Sequence, residues 1–135
     1  MPVSRPLQVY FVEDNTVIRD NLILTLDEWV GITAVGHAEG EQAGSAWLTR
    51  ADSVWDLAIV DLFLKQGNGL GVLRACRGRL APRKVVVLTN YVTPDVRVRC
   101  HDLGADAFFD KSNDLEALFD YCTQLRTALQ ACASA

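Results

Sequence analysis

Apolar residues in this chain fall into two patterns that alternate from one end to the other. Short continuous runs, LQVYFV (7 to 12), ITAVGHA (32 to 38), LAIV (57 to 60), KVVVL (84 to 88) and DAFF (106 to 109), predict five strands. Runs without polar alternation suit strands covered on both faces, which implies a parallel sheet with helices on each side. Between the runs, apolar residues recur at helical spacing. Ile18, Leu22, Leu26 and Trp29 form one stripe behind a cap at Asn15 or Thr16, and Gly31 closes that helix. Ala43, Ala46, Trp47 and Arg50 suggest a second helix, its start blurred by Gly40 and Gly44. Leu70, Leu73 and Cys76 mark a third after the turn-like KQGN. Thr93 and Pro94 open a fourth, with Val96, Cys100 and Leu103 inward and Gly104 just past its end. Asn113 and Glu116 stand in capping-box spacing before a fifth, whose stripe is Leu115, Leu118, Cys122, Leu125 and Leu129.

Five strand-helix units in strict alternation, joined by right-handed crossovers, give an α/β fold: a doubly wound five-stranded parallel sheet in the order 2-1-3-4-5, flavodoxin-like. No linker or repeat divides residues 1 to 135, and this length suits one domain with a core of its own. Half the residues are hydrophobic and 22% are charged, the balance of a soluble globular domain. The net charge of −4, with no basic cluster read in it, argues against nucleic acid and toward cations. Cys76, Cys100, Cys122 and Cys132 form no CxxC, and neither His37 nor His101 has zinc-ligand spacing to them. The cysteines read as small buried residues in a reducing compartment. No stretch reaches the ~20 apolar residues of a membrane span and the first residues lack a signal sequence, so the expected location is cytoplasmic. Residues 132 to 135 match a prenylation box only formally, lacking a polybasic neighbour, and read as an Ala-rich tail.

The strand order decides the chemistry. Ligands of open parallel sheets bind beyond the carboxyl ends of the strands, where the order reverses. The first and third strands are neighbours there, so Glu13, Asp14 and Asp61 converge, while Thr89 and Lys111 arrive from the fourth and fifth. Three carboxylates crowded together raise at least one pKa unless a cation joins them. Mg²⁺, which takes oxygen ligands and typically one or two carboxylates plus a phosphate, suits this inventory. The Thr89 hydroxyl and the Lys111 ammonium look like phosphate ligands.

These residues together resemble a response-regulator receiver domain of two-component signalling, over nearly the whole chain. The resemblance rests on an acidic pair after the first strand, an Asp ending the third, a hydroxyl residue after the fourth and FFDK at the fifth, with Gly69 and the run Gly104 to Asp106 in register. It implies that Asp61 accepts a phosphoryl group from a phosphohistidine of a sensor histidine kinase or a histidine phosphotransfer protein. Asp14 would ligate Mg²⁺ directly, Glu13 would act mainly through metal-bound water, and the backbone carbonyl of Phe63 would complete the protein's share. Thr89 and Phe108 would form the switch, with Phe109 facing the opposite core. Targets would be read by the face of the fourth helix, fifth strand and fifth helix. The domain would act as a self-phosphorylating switch with autophosphatase activity, not as a turnover enzyme. Only the last helix follows Lys111, so no output domain is expected, and the protein would act by contact, with oligomeric state open.

Four positions depart from the family pattern. Lys65 stands where many members carry Pro, which predicts a more mobile loop. Ser112 stands where Pro is usual; a cis bond before a non-proline residue costs ~3 kcal/mol, leaving a trans bond or a strained site. Asn90 replaces a small residue and narrows the approach to Asp61. Phe63 and Tyr91 are bulky at the positions that flank attacking water, which predicts slow loss of the phosphoryl group and weak reaction with small donors; the alternative is that Tyr91 only covers the fourth helix. A phosphatase of the haloacid-dehalogenase type would need a second Asp where Phe63 sits. A degenerate receiver that binds partners without phosphorylation would ordinarily lack the acidic pair, the acceptor or the lysine, and all are present here.

Overall fold

The five apolar runs pair into one parallel sheet in the order β2-β1-β3-β4-β5. In chain order the elements are β1 (Leu7–Val12), α1 (Thr16–Trp29), β2 (Ile32–Ala38), α2 (Glu41–Leu48), β3 (Leu57–Val60), α3 (Gly69–Ala75), β4 (Lys84–Thr89), α4 (Pro94–Asp102), β5 (Ala107–Asp110) and α5 (Leu115–Ser134). This computed structural model describes residues 5 to 134, with side chains described through residue 131. Cys132 and the tail motif of residues 132 to 135 therefore lie outside the residues whose side chains are described.

The central strands β1, β3 and β4 carry continuous hydrophobicity because they feed two cores, while the edge strand β2 is partly exposed. Alternate residues Tyr10 and Val12, Ala58 and Val60, and Val85 and Val87 pack under α2, α3 and α4. Their neighbours Val9 and Phe11, Leu57 and Ile59, and Val86 and Leu88 pack under α1 and α5. Phe108 joins the first core and Phe109 the second, as strand alternation requires. Two helices start on predicted caps, Asn15 and Thr93, and a third starts on Asn68, which the sequence marked only as part of a turn. Asn15 Oδ1, Asn68 Oδ1 and Thr93 Oγ1 accept the backbone N–H groups of Ile18, Gly71 and Val96 at 3.1, 3.1 and 3.2 Å. Gly31 and Gly104 follow their helices at φ +81° and +97°, where a side chain would be strained.

The structure corrects five local expectations. Trp29 is 72% exposed, because the inward arc of α1 runs through Leu22, Ile23, Leu26 and Val30 and leaves Ile18 and Trp29 at its edge. In α2 the buried positions are Gly44 and Leu48, while Ala43 and Ala46 are exposed and Arg50 lies beyond the helix. Gly44, read from the sequence as a blur in the helix start, is the contact itself: a Cβ there would stand 3.1 Å from Val12. The fifth strand begins one residue later than predicted. Asp106 instead anchors its start by accepting the Val85 N–H at 2.8 Å and Arg79 at 2.5 Å. The Asn113–Glu116 capping box does not form. The Asp114 carbonyl accepts the first helical N–H, from Leu118, while the Asn113 amide turns back to Asp110.

The fifth correction concerns charge: Arg74, Arg77, Arg79, Arg83 and Lys84 do cluster in sequence. Two of these charges are engaged within the fold. Arg79 caps the carbonyls of Cys76, Arg83 and Gly104, and Arg83 donates to Ser53 and lies over the Trp55 ring. The Lys111–Ser112 bond is trans, which resolves the two options left by Ser112. No helix among the described residues is long and apolar enough to cross a membrane.

Candidate functional site

The carboxyl ends of β1, β3, β4 and β5 deliver the predicted residues to one place. β1 pairs with β3 through Val12 and Val60, so the residues that follow, Glu13 and Asp61, leave the sheet side by side. Ligand oxygens of Glu13, Asp14 and Asp61 all lie within 4.8 Å of one another. β4 pairs with β5 through Thr89 and Asp110, and the Lys111 N–H donates to the Thr89 carbonyl at 3.0 Å. That register sends the Lys111 side chain over the carboxylates. Its ammonium donates to Asp61 Oδ2 at 2.8 Å and also to Glu13 Oε1.

Glu13 and Asp61 are buried, Asp14 is half-buried, and Thr89 has no exposed surface. Burial pushes the Glu13 carboxyl above its ordinary range, and the Asp61 charge adds to this against the opposing bond from Lys111. Burial alone would lower the Lys111 ammonium, but its hydrogen bonds to Asp61 and Glu13 outweigh burial and raise it. One cation among three carboxylates leaves excess negative charge with oxygen donors only, a donor set that fits a hard divalent cation.

The Asp61 Oδ1 accepts the Phe63 N–H at 3.4 Å, and the Thr89 hydroxyl accepts the Tyr91 N–H at 3.3 Å. Phe63 and Tyr91 are 58% and 49% exposed, yet their rings meet edge to face with centroids 4.9 Å apart. Two residues placed by the sequence in separate loops thus make one apolar cover beside the carboxylates. Asn90 is exposed and its Oδ1 accepts the Ser112 hydroxyl at 3.4 Å. Away from the cluster, Phe108 is half-buried under α4, with the Arg97 guanidinium 4.7 Å from its ring centroid.

Sequence reasoning missed the contacts that hold this arrangement. Glu13 Oε2 accepts the Asn15 N–H at 3.3 Å, tying the acidic pair to the α1 cap. Asp110 and Asp114 bind the turn after Lys111: Asp114 accepts the Asp110 N–H at 2.9 Å and Asp110 accepts the Ser112 N–H at 2.8 Å. Asp followed by polar residues is a turn signal that could have marked this segment. The loop after Asp61 is held as well, although it contains no proline. Gly40 bridges Gln66, Phe63 bridges Asn68, and Glu41 Oε1 accepts the Asn68 N–H at 2.9 Å. These are the contacts by which a loop without proline is attached to α2 and to its own start.

Residues 9–123 match the family described as the response regulator receiver domain. The transcriptional regulatory protein YdfI of Bacillus subtilis is 26% identical over 113 residues, which cover 83% of this chain and 51% of YdfI. This chain spans about half the length of the first curated relatives it matches. Among solved structures, the response regulator domain of Thermotoga maritima CheB superposes with a TM-score of 0.77 at 18% identity, covering 91% of this chain and 98% of that one. A response regulator protein from Burkholderia pseudomallei, solved with a phosphorylated aspartic acid, a calcium ion and citrate, gives 0.73 at 22% identity, covering 93% and 71%. At these identities the structural likeness concerns the fold.

Proposed function

This chain belongs to the family of response regulator receiver domains, and on that premise we propose that it is a phosphorylation-dependent switch whose acceptor is Asp61. The observation that carries this reading is the Lys111 ammonium bonded to Asp61 and Glu13 together, with Asp14 in the same cluster. A phosphorylated aspartate and a bound cation occur together in the Burkholderia structure, which supports the same chemistry here.

In the proposed reaction, one Asp61 oxygen forms a bond to the phosphorus of a phosphohistidine as the phosphorus–nitrogen bond breaks. The electron pair stays with the imidazole nitrogen, which takes up a proton, and Asp61 becomes an acyl phosphate. Glu13, Asp14, Asp61 and the Phe63 carbonyl would hold Mg²⁺, which when bound would neutralise charge on the phosphoryl oxygens. Lys111 supplies a fixed positive charge to the same oxygens. The Thr89 hydroxyl, now accepting from Tyr91, is free to donate to the new phosphoryl group. Its movement would open space for Phe108 and alter the face of α4, β5 and α5. The donor would be a sensor kinase or phosphotransfer protein, for which the apolar groove of about 360 Å³ between α1 and α5, reaching Lys111, offers a footing.

The test uses beryllium fluoride, a mimic of an acyl phosphate. With Mg²⁺ present, saturable binding is expected for the native protein and no binding for Asp61→Asn. Equal binding by the two proteins, or none by either, overturns the assignment.

A further inference from the structure

Glu41, at the start of α2, forms its hydrogen bonds not to the cluster residues but to the loop that leaves Asp61. Its backbone N–H donates to the Gln66 carbonyl at 3.0 Å, and its Oε1 accepts the Asn68 N–H at 2.9 Å. The loop is thus held on both sides of Gly67 by one residue. Two glycines make the slot for this side chain. A Cβ on Gly67 or on Gly71 would run into the Glu41 side chain, and Gly67 has φ +77°. Among the described residues no Lys or Arg pairs with Glu41, so its polar partner is the loop backbone.

From Asn68 the grip passes to the site. Asn68 bridges Phe63, and the Gly69 N–H donates to the Leu62 carbonyl at 2.9 Å. Gly69 itself lies so close to the Asp61 carbonyl that a Cβ there would collide with it. The loop is therefore pinned to Asp61 at one end and to α2 at the other, with the Phe63 backbone between them. A loop without proline would otherwise have to lose its conformational freedom when a cation binds.

We infer that Glu41 is a positioning residue that, through the Asn68 and Gln66 backbone, fixes the 62 to 68 loop and with it the Phe63 carbonyl for divalent-cation binding beside Asp61. The inference rests on the reading of Asp61 as phosphoryl acceptor. Outer-sphere groups that orient metal ligands are typically worth about 10- to 100-fold in metal affinity.

The test is calorimetric titration of Mg²⁺ into the native protein, Glu41→Gln, Glu41→Ala and Gly71→Ala, with thermal unfolding of each. Glu41→Gln keeps an oxygen for the Asn68 N–H and should bind Mg²⁺ much as the native protein does. Glu41→Ala should bind about 10-fold more weakly. Gly71→Ala keeps Glu41 but drives its carboxylate from the slot, and should weaken Mg²⁺ similarly while its melting temperature stays near native, because the helix preference of Ala over Gly offsets the lost Asn68 bond. Weaker Mg²⁺ binding without loss of stability is what a merely structural role would not produce, and it decides the matter even if Glu41→Ala fails to fold. Native Mg²⁺ affinity in Gly71→Ala, or equal weakening in Glu41→Gln and Glu41→Ala, overturns the inference. If the native protein itself answers neither Mg²⁺ nor beryllium fluoride, the reading of Asp61 fails and takes this inference with it.

Discussion

Phe63 and Tyr91 each stand two residues beyond a cluster residue, Asp61 and Thr89, and their rings touch each other edge to face. Water that hydrolyses an acyl phosphate on Asp61 would have to part that pair or pass its edge. An edge-to-face contact is worth about 0.5–1.5 kcal/mol, so removing it should lower the opening barrier enough for roughly 3- to 10-fold faster hydrolysis. Exchanging both for small polar residues, with intact-protein mass followed after phosphorylation, measures this. An unchanged half-life would mean that the rings do not limit water. Glu13 shows another residue-level lesson. Its position after β1 is evident from the sequence, but its raised pKa depends on burial beside Asp61, which only the folded chain creates.

At the scale of the element, α1 tests how far periodicity can be trusted. Spacing alone ranks Leu26 and Trp29 as equal members of one stripe. The packed helix buries Leu26 completely and leaves Trp29 72% exposed. Leu26→Ala should therefore cost about 2–5 kcal/mol through the cavity it leaves. Trp29→Ser should stay within about 0.5 kcal/mol, as surface changes do. Denaturant unfolding of the two variants checks the pair, and similar losses would contradict the placement of the helix. In α2 the error runs the other way. Of the stripe read from the sequence, Trp47 does pack inward, stacked on Tyr10 at 4.3 Å, but Ala43 and Ala46 are exposed and the closest approach to the sheet is made by Gly44, whose lack of a side chain carries no periodic signal.

At the scale of the whole molecule, the two cores hold protons that the unfolded chain would release. Burial pushes the Cys122 thiol up to about 12 and the Cys76 and Cys100 thiols up to about 11, from an ordinary 9.0. The Tyr10 hydroxyl likewise rises to about 12 from 10.0. Between the ordinary and the raised values the native state binds more protons than the unfolded state, so stability falls as pH rises. The loss should begin near pH 9 with the thiols and steepen above 10, by at most ~1.4 kcal/mol per pH unit for each group. Urea unfolding from pH 8 to 11 follows it, and a flat profile would show that these groups are not sealed in the cores. The sequence by itself determined the five strand-helix units, the sheet order and the set of Glu13, Asp14, Asp61, Thr89 and Lys111 at one edge. Those features follow from local periodicity and from the handedness of crossovers, both of which act along the chain. Only the tertiary structure decided that Lys111 bridges Glu13 and Asp61, that Phe63 meets Tyr91 and that Glu41 grips the loop at Asn68. Those contacts join residues from 27 to 98 positions apart. Such pairs depend on how helices rotate and loops settle on the sheet, which no spacing rule encodes.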